Sequence, residues 1–239
     1  MITIDFTKLD IKPRIKILDV GCGTGRHASA ASRFKAVTVI GSDIRLDNSA
    51  ETRKRLILDE QYGLNGGGGW GVTTSDIKNL PFNNNSFDIV ICSEVLEHIH
   101  DQDAAIREVT RVLKPNGNLI ISVPRYLPEK ICWALSDDYH RANDGHIRIY
   151  RKRELTGRCK KAGLIQWSFH FSHGFHTPYW WLKCLLGPNK NNLKLINIYH
   201  RFLVWEMMNG SAATRFIEKI INPVLGKSLV IYLKKGKNV

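Results

Sequence analysis

The residues best placed to do chemistry together are the run Asp19-Val20-Gly21-Cys22-Gly23-Thr24-Gly25 and two later acids, Asp43 and Asp76. Glycines at alternate positions let a backbone turn tightly and approach a ligand, with the free N–H groups of a helix start close by. The GxGxG spacing is near the GxGxxG of dinucleotide-binding loops, which seats a pyrophosphate. Here the spacing is shorter, and Asp19 stands just before the glycines. A carboxylate in that place repels a pyrophosphate and suits a cationic amino-acid ligand. Asp43, in Ile40-Gly41-Ser42-Asp43, lies about 20 residues beyond the loop, where an acid accepts hydrogen bonds from ribose hydroxyls. Asp76 follows in Thr74-Ser75-Asp76-Ile77. Singly, each acid reads as a helix cap or a turn residue. Jointly, at the ends of successive strands, they mark the edge where open α/β sheets bind ligands.

Elements that position these residues follow from the apolar pattern. Short apolar runs at 15–20, 36–41, near 70–74, 86–92 and 117–123 predict strands. Between them, 24–34, 46–61 and 101–114 predict helices, the last stopped by Lys114-Pro115-Asn116-Gly117. Such alternation implies a parallel sheet covered on both faces. Further on, a helix at 152–162 precedes a strand at 164–171. An alternating strand there puts Trp167, Phe169 and Phe171 on one face and Ser168 and His170 on the other. A strand at 227–235 closes the chain. Its length of 239 residues suits one α/β domain with an insertion, 172–226, that shows no strand pattern. Gly66 to Gly69 predict a flexible loop with no assignable role.

The segments ILDVGCGTGRHA, IGSDI, SDIKNLPFNNNSFDIVICSEVLEHIHD and REVTRVLKPNGNLIISVP resemble, in order and spacing, the motifs of class I S-adenosylmethionine-dependent methyltransferases of the small-molecule, UbiE-like type. The likeness covers roughly residues 15–165, more weakly the last strand. It implies a Rossmann-like α/β sheet of seven strands ordered 3-2-1-4-5-7-6 with the last antiparallel. Residues 15–171 then form the cofactor-binding core, and 172–226 a helical substrate cap between the sixth and seventh strands. Carried over by position, it assigns Asp19, Gly21, Gly23 and Gly25 to the methionine end of S-adenosylmethionine. Asp43 falls to the ribose, Ile44 to the adenine face, Asp76 with Ile77 to the adenine amino group, and Ser93 to the methionine amine. Cys22, often cysteine in this family, reads as a small packing residue beside the cofactor.

The resemblance also implies an in-line displacement, in which holding donor and acceptor in a dry pocket does most of the work. A base is needed only when the acceptor must lose a proton, so no motif supplies one. Candidates are His98 beyond the fourth strand, His140 and His146 in the loop after the fifth, and Tyr179, each weighed against a packing, capping or loop-anchoring role. His170, His173 and His176 recur every third residue, yet a strand keeps them off a common helical face and no acid or cysteine lies near. No metal site is expected.

Charge and composition narrow the partners. The net charge is +13, and 183–239 carry ten Lys/Arg against Glu206 and Glu218, which suits an anionic partner or simply a solvated basic face. Residues 167–205 gather ten aromatics, with Tyr179-Trp180-Trp181-Leu182-Lys183 mixing rings and a cation. They read either as the core of a helical cap or as a pocket for an apolar or aromatic acceptor, lipid-like and reached from a membrane-facing surface. A nucleic-acid (RNA) methyltransferase is the main alternative. No [DNS]PP[YFW] motif follows the fourth strand, no Pro-Cys nucleophile occurs and no RNA-binding module is appended. A non-catalytic S-adenosylmethionine-binding protein is the other. Five scattered cysteines without a CxxC pair, no apolar run of membrane-spanning length and no signal-peptide pattern lead us to expect a cytoplasmic protein with peripheral membrane contact.

Overall fold

The computed structural model describes residues 1–141, 145–187 and 193–237. Its sheet comprises β1 (Lys16–Val20), β2 (Thr38–Asp43), β3 (Trp70–Thr74), β4 (Phe87–Ser93), β5 (Leu113–Pro124), β6 (Leu164–Ser172) and β7 (Ser228–Lys235). Their order is β3-β2-β1-β4-β5-β7-β6, with β7 antiparallel to both neighbours and the other pairings parallel. This is the expected Rossmann-like topology. Helices α1 (Arg26–Ser32), α2 (Leu46–Gln61), α3 (Gln102–Val112) and α6 (Lys152–Lys161) make the crossovers. Alternate residues of β4 separate two cores: Val90 and Cys92 pack with α3, while Ile89 and Ile91 pack with α1. Each fully buried Ile or Leu contributes about 1.5–3 kcal/mol, so the sheet needs apolar residues on both faces.

Four expectations require correction. The helix expected over 101–114 ends at Val112, and β5 already begins at Leu113 by pairing with Phe87. The Lys114–Gly117 turn becomes a bulge inside the strand, with Asn116 at φ 62°. A second bulge between Gln166 and Ser168 breaks the alternation of β6. Trp167 then packs on Tyr232 beside His170, while Lys152 and Arg125 lie over the rings of Phe169 and Phe171. Third, much of the stretch after β5 is helical: α4 (Tyr126–Leu135) and the short α5 (Asp137–His140). Ala142, Asn143 and Asp144, between the two candidate histidines, lie outside the described residues.

The glycine run is the fourth. Gly66 accepts from Ala36 N–H at 2.8 Å and donates to Ser32 O at 2.7 Å, and Gly69 O accepts from Val39 N–H. A Cβ on Gly66 would lie 2.1 Å from Phe34 O, and one on Gly68 1.9 Å from Val37 O. At Gly66 and Gly68 the run is a backbone-on-backbone seam with no room for a side chain, whereas a Cβ on Gly67 or Gly69 meets no close neighbour. Gly68→Ala is expected to lower stability by about 1–3 kcal/mol, the usual cost of overpacking, read as a fall in melting temperature of several degrees. An unchanged melt would contradict the seam.

The insert between β6 and β7 forms α7 (His176–Leu186), α8 (Lys194–Asn209) and α9 (Ala212–Leu225). Tyr179, Ile196 and Leu203 make a small core with Tyr199 and Phe202 beside them. Leu195 and Met207, which a simple helical reading groups with Tyr199 and Phe202, are instead exposed. Among the described residues no helix is long and apolar enough to cross a membrane.

Candidate active site

Chain geometry at the tip of β1 comes from its glycines. Gly21, Gly23 and Gly25 have φ of 66°, 53° and 75°, values that L side chains rarely adopt. A Cβ on Gly21 would stand 2.3 Å from Val95 Cγ2, whereas one on Gly23 meets nothing within 4 Å. The loop thus packs tightly on one side and leaves open space on the other. That space is a cavity of about 730 Å³, within the usual range for small-molecule sites.

Asp43 organises the cavity floor. Its Oδ2 accepts from Gly23 N–H at 2.8 Å, and its Oδ1 from Arg45 N–H at 2.9 Å and Asn48 Nδ2 at 3.1 Å. Ile44 lines the wall with 67% of its surface exposed, an apolar side chain open to a ligand-sized space. Ile77 is buried beside it in sequence to Asp76, whose carboxylate accepts from Lys78 N–H at 2.9 Å and remains partly open. Ser93 and Glu94 line the far wall and share Ser122: its hydroxyl lies 2.7 Å from Ser93 Oγ and 2.9 Å from Glu94 Oε1. Hence Gly21, Cys22, Gly23, Asp43, Ile44, Asp76, Ile77 and Ser93 come together on one cavity. An exposed isoleucine, open-sided glycines and two strand-end carboxylates fit an adenosine-bearing ligand.

Asp19 and Gly25 sit apart from that surface. Asp19 is buried beneath the loop, where it accepts from Ala28 N–H at the start of α1 at 3.0 Å. Burial, with the charge of Asp43 adding to it, pushes its carboxyl up to about 7. Gly25 caps α1 against Thr52. Cys22 Sγ lies 3.3 Å from Thr52 Oγ1, and burial raises its thiol to about 12, so it is not a nucleophile near neutral pH.

Candidate catalytic residues separate in the structure. His98, on the 3-10 turn Leu96–His98, lines the cavity with Val95, Ile99 and Ile147. His146 stands behind it, the ring centroids 5.2 Å apart. Its Nδ1 lies 2.6 Å from Oε1 of Glu129, a buried acid on α4. His140 stacks on Trp133 at 4.1 Å, and Tyr179 is buried in the α7–α8 core. Neither lines the cavity, nor do residues of α7–α9. Sequence reasoning missed Glu129 and Glu97. Glu97 is fully buried. Burial first, then the charges of Glu94 and Glu129, drive its carboxyl well above the usual range. Its own amide opposes this, yet neither carboxylate oxygen finds a hydrogen-bond partner. Glu97 could have been found as the residue next to His98; Glu129 carries no comparable signal.

At the other edge of the cavity, histidines hold the N-terminal segment. Thr3 N–H donates to His27 Nε2 at 3.1 Å, and His173 Nε2 lies 3.1 Å from Thr3 Oγ1. Burial lowers His27 to about 4, helped by the charge of Arg26, and drops His173 well below its ordinary value. Each is therefore held neutral in the fold. Between about 4 and the ordinary 6.5 the unfolded chain binds more protons, so stability is complete above that window and falls as pH drops through it. For His27 alone the loss at pH 5 is about 2 kcal/mol. Melting temperature should fall between pH 7 and 5, and the slope should flatten in His27→Gln. An equal slope in the variant would remove His27 from this role.

The model of a methyltransferase domain matches residues 3–167. The methyltransferase GfsG of Streptomyces halstedii is 32% identical over 120 residues, 49% of this chain and 40% of that protein. Cycloartenol-C-24-methyltransferase 1 of Oryza sativa subsp. japonica is 29% identical over 200 residues, 78% of this chain and 53% of that one. The chain thus spans about half or less of the length of these relatives. Among solved structures, the [4+2]-cyclase SpnF superposes with a TM-score of 0.62 at 22% identity, covering 97% of this chain and 79% of that one. That likeness concerns the fold.

Proposed function

The chain belongs to the methyltransferase-domain family of class I S-adenosylmethionine-dependent methyltransferases, and from that premise we propose that it methylates a small, apolar, lipid-like acceptor. The observation that carries the reading is the continuous cavity from Gly21 and Asp43 to Val95, His98, Ile99 and Ile147. The cofactor supplies a methyl group already activated on a positively charged sulfur. Asp43 would hold the ribose, Ile44 and Ile77 the adenine faces, and Asp76 the adenine amino group. Gly21, Gly23 and the Ser93 backbone would take the methionine end, and Asp19 would shape their loop from below. The apolar end would take the acceptor, orient it in line and exclude water.

Supply of an apolar acceptor is the role we assign to the insert, 172–226. On α9, Phe216, Ile217, Ile220 and Val224 share one face and are exposed. On α8, Leu195, Ile198, Trp205 and Met208 do the same. Lys194, Arg201, Arg215 and Lys219 are interleaved. An exposed apolar ridge edged by cations suits an anionic lipid surface. The relative from rice, named for a sterol-type substrate, agrees with such an acceptor.

Protein should co-sediment with phosphatidylserine vesicles at low salt and less at high salt. A Phe216→Ser, Ile220→Ser double variant should lose most of that binding while keeping its melting temperature. No vesicle binding, together with turnover of polar acceptors or RNA only, would overturn the proposal.

A further inference from the structure

We propose that Glu97, His98 and His146 form a binding site for one divalent first-row transition-metal ion at the edge of the cavity, with Glu129 orienting His146. Among the described residues these three offer ligand atoms that all lie within 4.8 Å of one another. Glu97 carries the argument. A carboxylate at 0% exposure with neither oxygen hydrogen-bonded is costly, and such a group calls for a ligand. A dication at the point the three ligand atoms share would give the buried, unpartnered oxygens of Glu97 a partner.

Around the three, the structure provides what a metal site needs. His146 spends Nδ1 on Glu129, 2.6 Å away, which fixes the ring and leaves Nε2 for coordination. The two segments bearing the ligands are tied together. Ile147 N–H donates to Glu97 O at 3.1 Å, the Tyr150 hydroxyl to Leu96 O at 3.1 Å, and Arg148 Nη2 to His100 O at 3.0 Å. Two imidazoles with one carboxylate favour manganese, iron, cobalt or zinc over calcium or magnesium, and three protein ligands leave positions open. Because His98 lines the cavity, those positions adjoin the proposed acceptor end. The acceptor class this implies carries an oxygen donor, such as a hydroxyl or carboxylate. That last step rests on the methyl-transfer reading; the ion site does not.

The test uses full-length protein without a histidine tag, stripped with a chelator and titrated with zinc against a chromophoric indicator. Expected is one equivalent bound at micromolar affinity or tighter, weakened at least about tenfold in Glu97→Gln and about 10–100-fold in Glu129→Gln. Both variants should still unfold in one cooperative melt and keep the parent's affinity for S-adenosylhomocysteine. If either misfolds, X-ray absorption at the zinc edge of the loaded parent decides without it: two imidazole ligands support the site, none or one overturns it. No stoichiometric binding in the parent, or equal affinity in a folded Glu97→Gln, also overturns it. Zinc binding without any S-adenosylhomocysteine binding would keep the ion site and sink the methyl-transfer reading instead.

Discussion

Gly21→Ala is expected to lower affinity for S-adenosylhomocysteine more than a hundredfold, with turnover falling in parallel. Two costs add at this position. An L side chain at φ 66° costs about 1–2 kcal/mol, and the new Cβ would sit 2.3 Å from Val95 Cγ2, an overpacking of about 1–3 kcal/mol. Relief comes from moving the loop or Val95, and both line the cavity. The same change at Gly23 meets open space, so it carries the backbone cost plus whatever contact a bound ligand loses. Calorimetry on both variants, with melts to check folding, gives the comparison. Near-parental binding in Gly21→Ala would mean that the loop does not shape the site.

Lys235→Ala should produce the largest loss of stability, about 3–5 kcal/mol, or roughly 6–20 °C in melting temperature. Lys235 is buried at the end of β7, and its Nζ donates to Thr110 O and Leu113 O at 2.8 Å and to Asn85 Oδ1 at 2.9 Å. It ties the end of α3 and the start of β5 to the closing strand. Truncation leaves the buried carbonyls of Thr110 and Leu113 without this donor and opens space where the stem packed. Lys235→Met, which keeps the stem, should recover part of the loss. A change below about 1 kcal/mol in Lys235→Ala would show that water replaces the ammonium.

Both predictions bear on how much of this molecule could be read from its residues. The glycine loop, Asp43 and Asp76 were readable because strand-end chemistry is local: each lies within a few residues of the element that aims it. Strand order followed from the resemblance to class I methyltransferases, since the apolar pattern alone gives only alternating strands and helices. What stayed hidden depends on contacts between distant segments. Gly66 and Gly68 look like a flexible loop until Phe34 and Val37 are placed against them. Glu129 meets His146 across 17 positions, and Lys235 meets Thr110 across 125. Trp167 changes face because a bulge shifts the pairing with β7, which alternation alone does not signal. His98 and His146 were singled out from sequence, yet the unpartnered Glu97 between Leu96 and His98 became visible only through its burial.

Charge was similarly half readable. Basic residues of 183–239 and their aromatics suggested a surface, but not which side faces out. The structure turns Tyr179, Ile196 and Leu203 inward and leaves Phe216, Ile220 and Trp205 outward.

Methyl transfer itself is tested most directly by supplying S-adenosylmethionine with a deuterated methyl group, together with a lipid extract, and following products by mass spectrometry. The account predicts one extract component gaining the labelled methyl, with S-adenosylhomocysteine formed in equal amount, and both signals lost in Gly21→Ala. Tight binding of the donor with neither product formed would contradict it and leave a protein that binds the cofactor without using it.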